Sequence, residues 1–151
     1  MALAKNINVM WFRQDLRLAD NPALTNALED GKTLPIFILD NVNSNEHING
    51  AASKWWLHHS LIKLNKSLKN KLCFFRGNPI DILDEINKRF EISNIFWSRC
   101  YEPWRIKRDK KIKKYFNDQN VNVNTFNGSL LWEPWNIAKK DGTPYKVFTP
   151  Y

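Results

Sequence analysis

The stretch WFRQDLRLADNPAL, Trp11 to Leu24, decides how the chain is read. It closes the apolar run Ile7-Asn8-Val9-Met10-Trp11-Phe12, which reads as a buried β-strand. Arg13, Asp15, Arg17 and Asp20 follow within eight positions. Asn21-Pro22 then supplies a capping residue and a proline at the first helical position. A core strand that ends in charges and restarts as a helix opens a β-α-β unit, with its charges at the carboxyl end of the strand.

The same alternation continues. A short helix runs from Ala23 to Asp30 and stops at Gly31. LPIFILD (34–40) is a second strand, apolar throughout, as strands buried on both faces are. A polar loop, 41–50, leads to a long helix from Ala51 to about Leu68, with Trp56, Leu57, Leu61, Leu64 and Leu68 near helical spacing. Strands at 72–75, 94–98 and 121–126 enclose helices at 79–90 and from Pro103 to about Phe116. The expected fold is therefore α/β, a five-stranded parallel Rossmann-like sheet of order 3-2-1-4-5 with helices on both faces. After Phe126 the periodicity stops, and the remainder reads as an extended segment travelling away from the sheet.

Composition narrows the function. The 151 residues suit one domain, and 43% hydrophobic with 25% charged residues is ordinary for a globular protein. A net charge of +8 favours polyanionic partners. Much of it lies in KLNKSLKNK (63–71) and RIKRDKKIKK (105–114), each of which also reads as a solvated helix face. No apolar run approaches the roughly 20 residues of a membrane helix, and MALAKNINVM lacks signal-peptide features. A cytoplasmic monomer without a membrane partner is expected. Cys73 and Cys100 read as reduced, buried filler, and no metal spacing links them to His47, His58 or His59.

In an open parallel sheet, ligands bind beyond the carboxyl ends of the strands where the strand order reverses, here between the first and fourth strands. Arg13, Gln14 and Asp15 leave the first strand there; Arg99, Cys100, Tyr101 and Glu102 leave the fourth; Leu39 and Asp40 leave the second. Arg17 and Asp20 read as structural anchors of the loop, and Arg13 reads equally as anchor or ligand contact. The chain has no G-x-G-x-x-G, no P-loop and no G-x-S-x-G elbow, which argues against a dinucleotide or P-loop nucleotide site and an α/β-hydrolase triad. Aromatic residues make up 13%, with seven tryptophans. Of the adjacent pair Trp55-Trp56, one is expected to face the sheet. Trp55 and Trp104 are candidates to wall a planar ligand.

These residues resemble the photolyase/cryptochrome family. WFRQDLRLADNPAL, LPIFILD, GAASKWWLHHSLIKLNKSL (50–68), FFRGNPIDIL (74–83), YEPWRIKRD (101–109) and GTPYKVFTPY (142–151) keep the family's order and spacing over essentially the whole chain. RCYEPWRIKRD and WWLHHSL look most like bacterial class I cyclobutane-dimer photolyases. The resemblance implies an α/β antenna domain over 1–128 and the start of an interdomain connector over 129–151. It implies a larger helical domain, absent here, that binds FAD, flips the pyrimidine dimer out of DNA and splits it under light. DNA and that helical domain would be the partners of the longer protein, and this chain would be a fragment inactive alone, without catalytic residues.

Carried over position by position, the resemblance puts an antenna chromophore against Arg13, Phe37, Leu39, Asp40, Ala52, Trp55, Tyr101 and Glu102. Cys100 stands where deazaflavin-binding relatives often carry an acidic residue, and Trp104-Arg105 stand where folate-binding relatives carry Asn-Glu. That pattern favours 8-hydroxy-5-deazaflavin or a flavin over folate, with an empty pocket as the remaining alternative. A cryptochrome photoreceptor domain and a free-standing nucleotide-binding α/β domain are the competing readings. The latter requires the tail to fold back onto the sheet.

Overall fold

The computed structural model describes residues 6–29, 31–42 and 49–145. Most of the polar loop expected over 41–50, including His47, and the end of the GTPYKVFTPY motif lie outside the described residues. The elements run β1 (Ile7–Phe12), α1 (Pro22–Glu29), β2 (Thr33–Leu39), α2 (Ala51–Ser67), β3 (Cys73–Arg76), α3 (Pro79–Phe90), β4 (Ile92–Ser98), α4 (Pro103–Asn117) and β5 (Asn122–Phe126). A single 3-10 turn, Pro134–Asn136, follows. All pairings within the sheet are parallel and the order is β3-β2-β1-β4-β5, as the alternation requires.

Successive strand residues point to opposite faces, so the sheet carries two cores. Val9, Trp11, Ile36, Ile95 and Trp97 face α3 and α4, meeting Leu83, Ile86, Ile112 and Phe116. Met10, Phe12, Phe37 and Phe96 face α1 and α2, meeting Ala23, Leu24, Ala27 and Leu64. Right-handed crossovers produce this division. Steps outward from β1 to β3 put α1 and α2 on one face, and the return to β4 and β5 puts α3 and α4 on the other. Asn21 caps α1 as expected, its Oδ1 accepting the Leu24 N–H at 3.2 Å.

Helix α2 departs from expectation. Leu57, Leu61 and Leu68 pack with Leu64 against the sheet, but Trp55 and Trp56 are 62% and 71% exposed. Neither tryptophan faces the sheet. At about 100° per residue, those four leucines fall within an arc of about 60°, whereas Trp56 lies about 100° off it and Trp55 nearly opposite. Ala52 shares the outer side with Trp55, and its exposure agrees.

The tail also departs. Instead of travelling away, it crosses back over the carboxyl ends of β4 and β5. Arg17 Nη2 donates to the Gly128 carbonyl at 2.7 Å. Gly128 packs so closely on Ser98 that an added Cβ would lie 2.6 Å from the Ser98 Cβ. Further on, Glu133 is seated against Arg99 and Tyr101.

Candidate functional site

The charges after β1 divide into two jobs. Asp15 is buried and its carboxylate is fully engaged. It accepts the Arg13 backbone N–H at 3.0 Å, the Ser98 hydroxyl at 2.7 Å and the Asn21 amide at 3.2 Å. That joins the β1 loop to the end of β4 and to the α1 cap. Arg17 donates to the Asp20 carbonyl at 2.8 Å and to the Gly128 carbonyl at 2.7 Å, so it ties the loop to the tail, while the Asp20 carboxylate stays exposed at 4.0 Å from Arg17.

Arg13 turns inward. Its side chain is 2% exposed and its Nη1 lies 2.7 Å from Asp109 Oδ2 on α4. Asp109 also pairs with Arg108 at 2.8 Å, and Arg108 pairs with Asp40 at 2.9 Å. The result is a buried chain of alternating charge, Arg13–Asp109–Arg108–Asp40, bridging β1, α4 and the end of β2. Aromatic faces enclose it. The Arg13 guanidinium carbon sits 5.0 Å from the Trp11 ring centre, and that of Arg108 lies 5.1 Å from Trp11 and 5.2 Å from Trp104. Burial lowers the Arg13 pKa, and the Asp109 charge opposes that shift. The Trp11 and Trp104 faces, which a planar ligand could have used, are thus covered by guanidinium groups.

The fourth strand ends in a second cluster. Arg99 Nε and Nη2 hold the two Glu133 oxygens at 2.6 and 3.0 Å, and the Tyr101 hydroxyl donates to Oε1 at 2.6 Å. Burial pushes the Glu133 carboxyl up, but the bonds from Arg99 and Tyr101 outweigh it and hold its pKa below the usual value. Glu102 instead accepts from Gln14 at 2.9 Å and lies 3.4 Å from Arg105 Nε. Cys100 is buried beside Arg105 Nη1, with its thiol pKa raised by that burial. Cys73 is half-buried, and both thiols are unbridged.

Among the described residues, the eight expected contact residues therefore divide into side chains committed to other partners and side chains that stay accessible. Phe37 is committed to the α1/α2 core, since it alternates with Ile36 and Ile38, which face the other way. Arg13 and Asp40 are committed to the buried charge chain, and Tyr101 to Glu133. Leu39, Ala52, Trp55 and Glu102 retain accessible surface. Two recesses, of about 370 and 420 Å³, lie elsewhere, sharing Asn94 and Asn124 on β4 and β5. Asp109, Arg108 and Glu133 carry the site's charge pairing, and sequence reasoning does not single them out. Arg108 could have been found: it falls on the Ile112–Phe116 stripe at steps of four, which is buried.

A flavin-type chromophore needs ring donors and a stacking surface. The buried donors lacking an acceptor among the described residues are Trp11 Nε1, Arg13 Nε and Nη2, and Arg105 Nε. Ring carbonyls would suit them, but Arg13 is sealed from the surface. The accessible indole of Trp55, tilted over His59 at 4.3 Å, suits stacking against a planar ring. The fit is to stacking on the outer side of α2, with no buried donor reaching the ring.

Residues 8–151 match the family model for DNA photolyase. The chain belongs to this family. A deoxyribodipyrimidine photo-lyase of Agrobacterium fabrum is 37% identical over 147 residues, covering 95% of this chain and 30% of the relative. Cryptochrome-2 of Arabidopsis thaliana is 33% identical over 147 residues, covering 95% of this chain and 24% of the relative. The crystal structure of a bacterial class III photolyase from Agrobacterium tumefaciens superposes with a TM-score of 0.87 at 35% identity, covering 99% of this chain and 31% of that one. The resemblance to the photolyase family is thereby shown, while the matched structure is of class III where the motifs pointed to class I. The chain spans about 30% of the length of these photolyases.

Proposed function

We propose that this chain is the N-terminal light-harvesting domain of a deoxyribodipyrimidine photo-lyase. The observation that carries the reading is the superposition of nearly the whole chain on under a third of a photolyase. On this reading the cyclobutane-dimer chemistry belongs to an FAD-binding helical domain beyond residue 151, and the segment from 129 onward begins the connector to it. A bound antenna, 8-hydroxy-5-deazaflavin or flavin, would supply light absorption and energy transfer. We assign its contacts to the accessible Leu39, Ala52, Trp55 and Glu102. Arg13, Asp40 and Tyr101 then act as positioning residues that fix the strand ends and the tail.

A cryptochrome photoreceptor is the second reading, favoured by the 33% identity to the Arabidopsis protein. A returning tail is what a free-standing domain also needs, so the tail does not separate the readings.

The test reads the coding DNA past Tyr151 and assays the product of the complete frame on dimer-containing DNA under blue light. Light-dependent disappearance of dimers supports the photolyase. A complete flavoprotein without repair supports the cryptochrome, and a stop codon directly after Tyr151 removes both. In the complete protein, Trp55→Ala should abolish the antenna absorption band while leaving repair under direct flavin excitation intact.

A further inference from the structure

Helix α4 carries its charges in an unusual division. Its inward side bears Arg108, Ile112 and Phe116, all buried. Its outward side bears Lys107, Lys110, Lys111, Lys113 and Lys114, all exposed. None of these five makes an ion pair among the described residues, although Lys88 on neighbouring α3 pairs with Asp84 at 2.6 Å. The only acid on α4, Asp109, is engaged by Arg13 and Arg108. Positions 107/110, 107/111, 110/113, 110/114 and 111/114 all place like charges three or four residues apart, which destabilises a helix. Apart from Lys114, which lies in the last turn where a basic residue suits the helix dipole, these like-charge contacts work against the helix, and a polyanionic partner would relieve them.

We propose that the outer face of α4 is a docking surface for the phosphate backbone of duplex DNA. This rests on the DNA-repair reading only for its choice of polyanion. The density of charge matches. Lys107 to Lys114 spans about 10 Å of helix axis at 1.5 Å per residue, one lysine per about 2 Å. Duplex DNA carries one negative charge per about 1.7 Å of its axis. A membrane surface fits less well, because a helix lying on lipid also presents large apolar side chains outward. On α4 those are confined to the ends, Ile106 and Tyr115, each under two-fifths exposed. Contacts of this kind read no base sequence and need no lesion. They hold the duplex, and base-specific work is left to other parts of the protein.

The experiment measures binding of the 151-residue chain to an undamaged 20-base-pair duplex by fluorescence anisotropy across a salt series, in the dark. Two triple variants of equal net charge are compared: K107Q/K110Q/K114Q on α4, and K63Q/K66Q/K71Q in and just after α2. The α4 triple should make the slope of log K against log salt shallower by about 2.7, at about 0.9 for each phosphate that a lysine no longer neutralises. The α2 triple should leave the slope near that of the unmodified chain. Equal weakening in both triples would reduce the effect to net charge and overturn the proposal, as would no measurable binding at low salt. If the α4 triple abolished binding to phosphatidylserine vesicles and left duplex binding intact, the face would belong to a membrane, and the proposal would again be overturned. Because the duplex is undamaged and the assay dark, failure here is separate from failure of the light-driven repair reading, which the blue-light assay decides.

Discussion

Asp109 is the residue on which the rim depends most. It faces two guanidinium groups, Arg13 and Arg108, and both of those side chains are under a tenth exposed. Removing one partner of a buried pair leaves an uncompensated charge, which costs more than the pair contributes. Asp109→Asn should therefore destabilise the chain by about 3–5 kcal/mol, measured by urea unfolding. The double variant D109N/R13M should recover part of that stability, because it also removes the stranded cation. Equal stability of the single and double variants would show that Arg13 finds another partner. The sequence leaves Arg13 as either anchor or ligand contact, because its place at the end of β1 is compatible with both. The decision belongs to Asp109, 96 positions away. Local pattern cannot show a contact at that separation.

At the scale of elements, strands and helices are legible because each carries an unmixed period, and the observed ends of β1 and α3 coincide with the expected ones. What a linear reading misses is rotation about a helix axis. Nearness in sequence groups Trp56 with the leucines of α2, yet only the seam at 57, 61, 64 and 68 meets the sheet. Helix α4 shows the converse, a helix whose outer face works against its own stability. Lys110 lies three or four positions from Lys107, Lys113 and Lys114. Lys110→Glu converts three repulsions into three attractions, each worth about 0.2–0.5 kcal/mol. The variant should gain about 1–3 kcal/mol in thermal unfolding, at low salt most clearly. If it also binds duplex DNA more weakly, stability and affinity move in opposite directions, which a purely structural role for Lys110 does not produce. An unchanged melting temperature would mean that the lysines are too well solvated to repel.

For the whole molecule, the question is how the tail is joined to the sheet. Its return is not legible in the sequence, because residues 127–145 carry no period and Glu133 is one carboxylate between Trp132 and Pro134. Three donors make the joint: Arg99 Nε, Arg99 Nη2 and the Tyr101 hydroxyl, all directed at the Glu133 side chain, which is 9% exposed. Arg99 also lies 5.7 Å from the Trp135 ring centre, so the joint extends one step along the tail. Glu133→Gln keeps the shape and removes the charge, and should cost about 1–3 kcal/mol. The pH dependence follows from the direction of the shift. The folded Glu133 carboxyl has a pKa below its unfolded value, so its contribution is complete above the ordinary carboxylate range. It is lost as pH falls through about 4 toward the folded pKa. The stability difference between the unmodified chain and E133Q should thus be constant near neutrality and shrink in acid. Amide hydrogen exchange should show the tail after Gly128 opening in E133Q at neutral pH, and in the unmodified chain only in acid. Matching exchange in the two proteins at neutral pH would mean that Gly128 on Ser98 and Arg17, and not Glu133, holds the tail to the sheet.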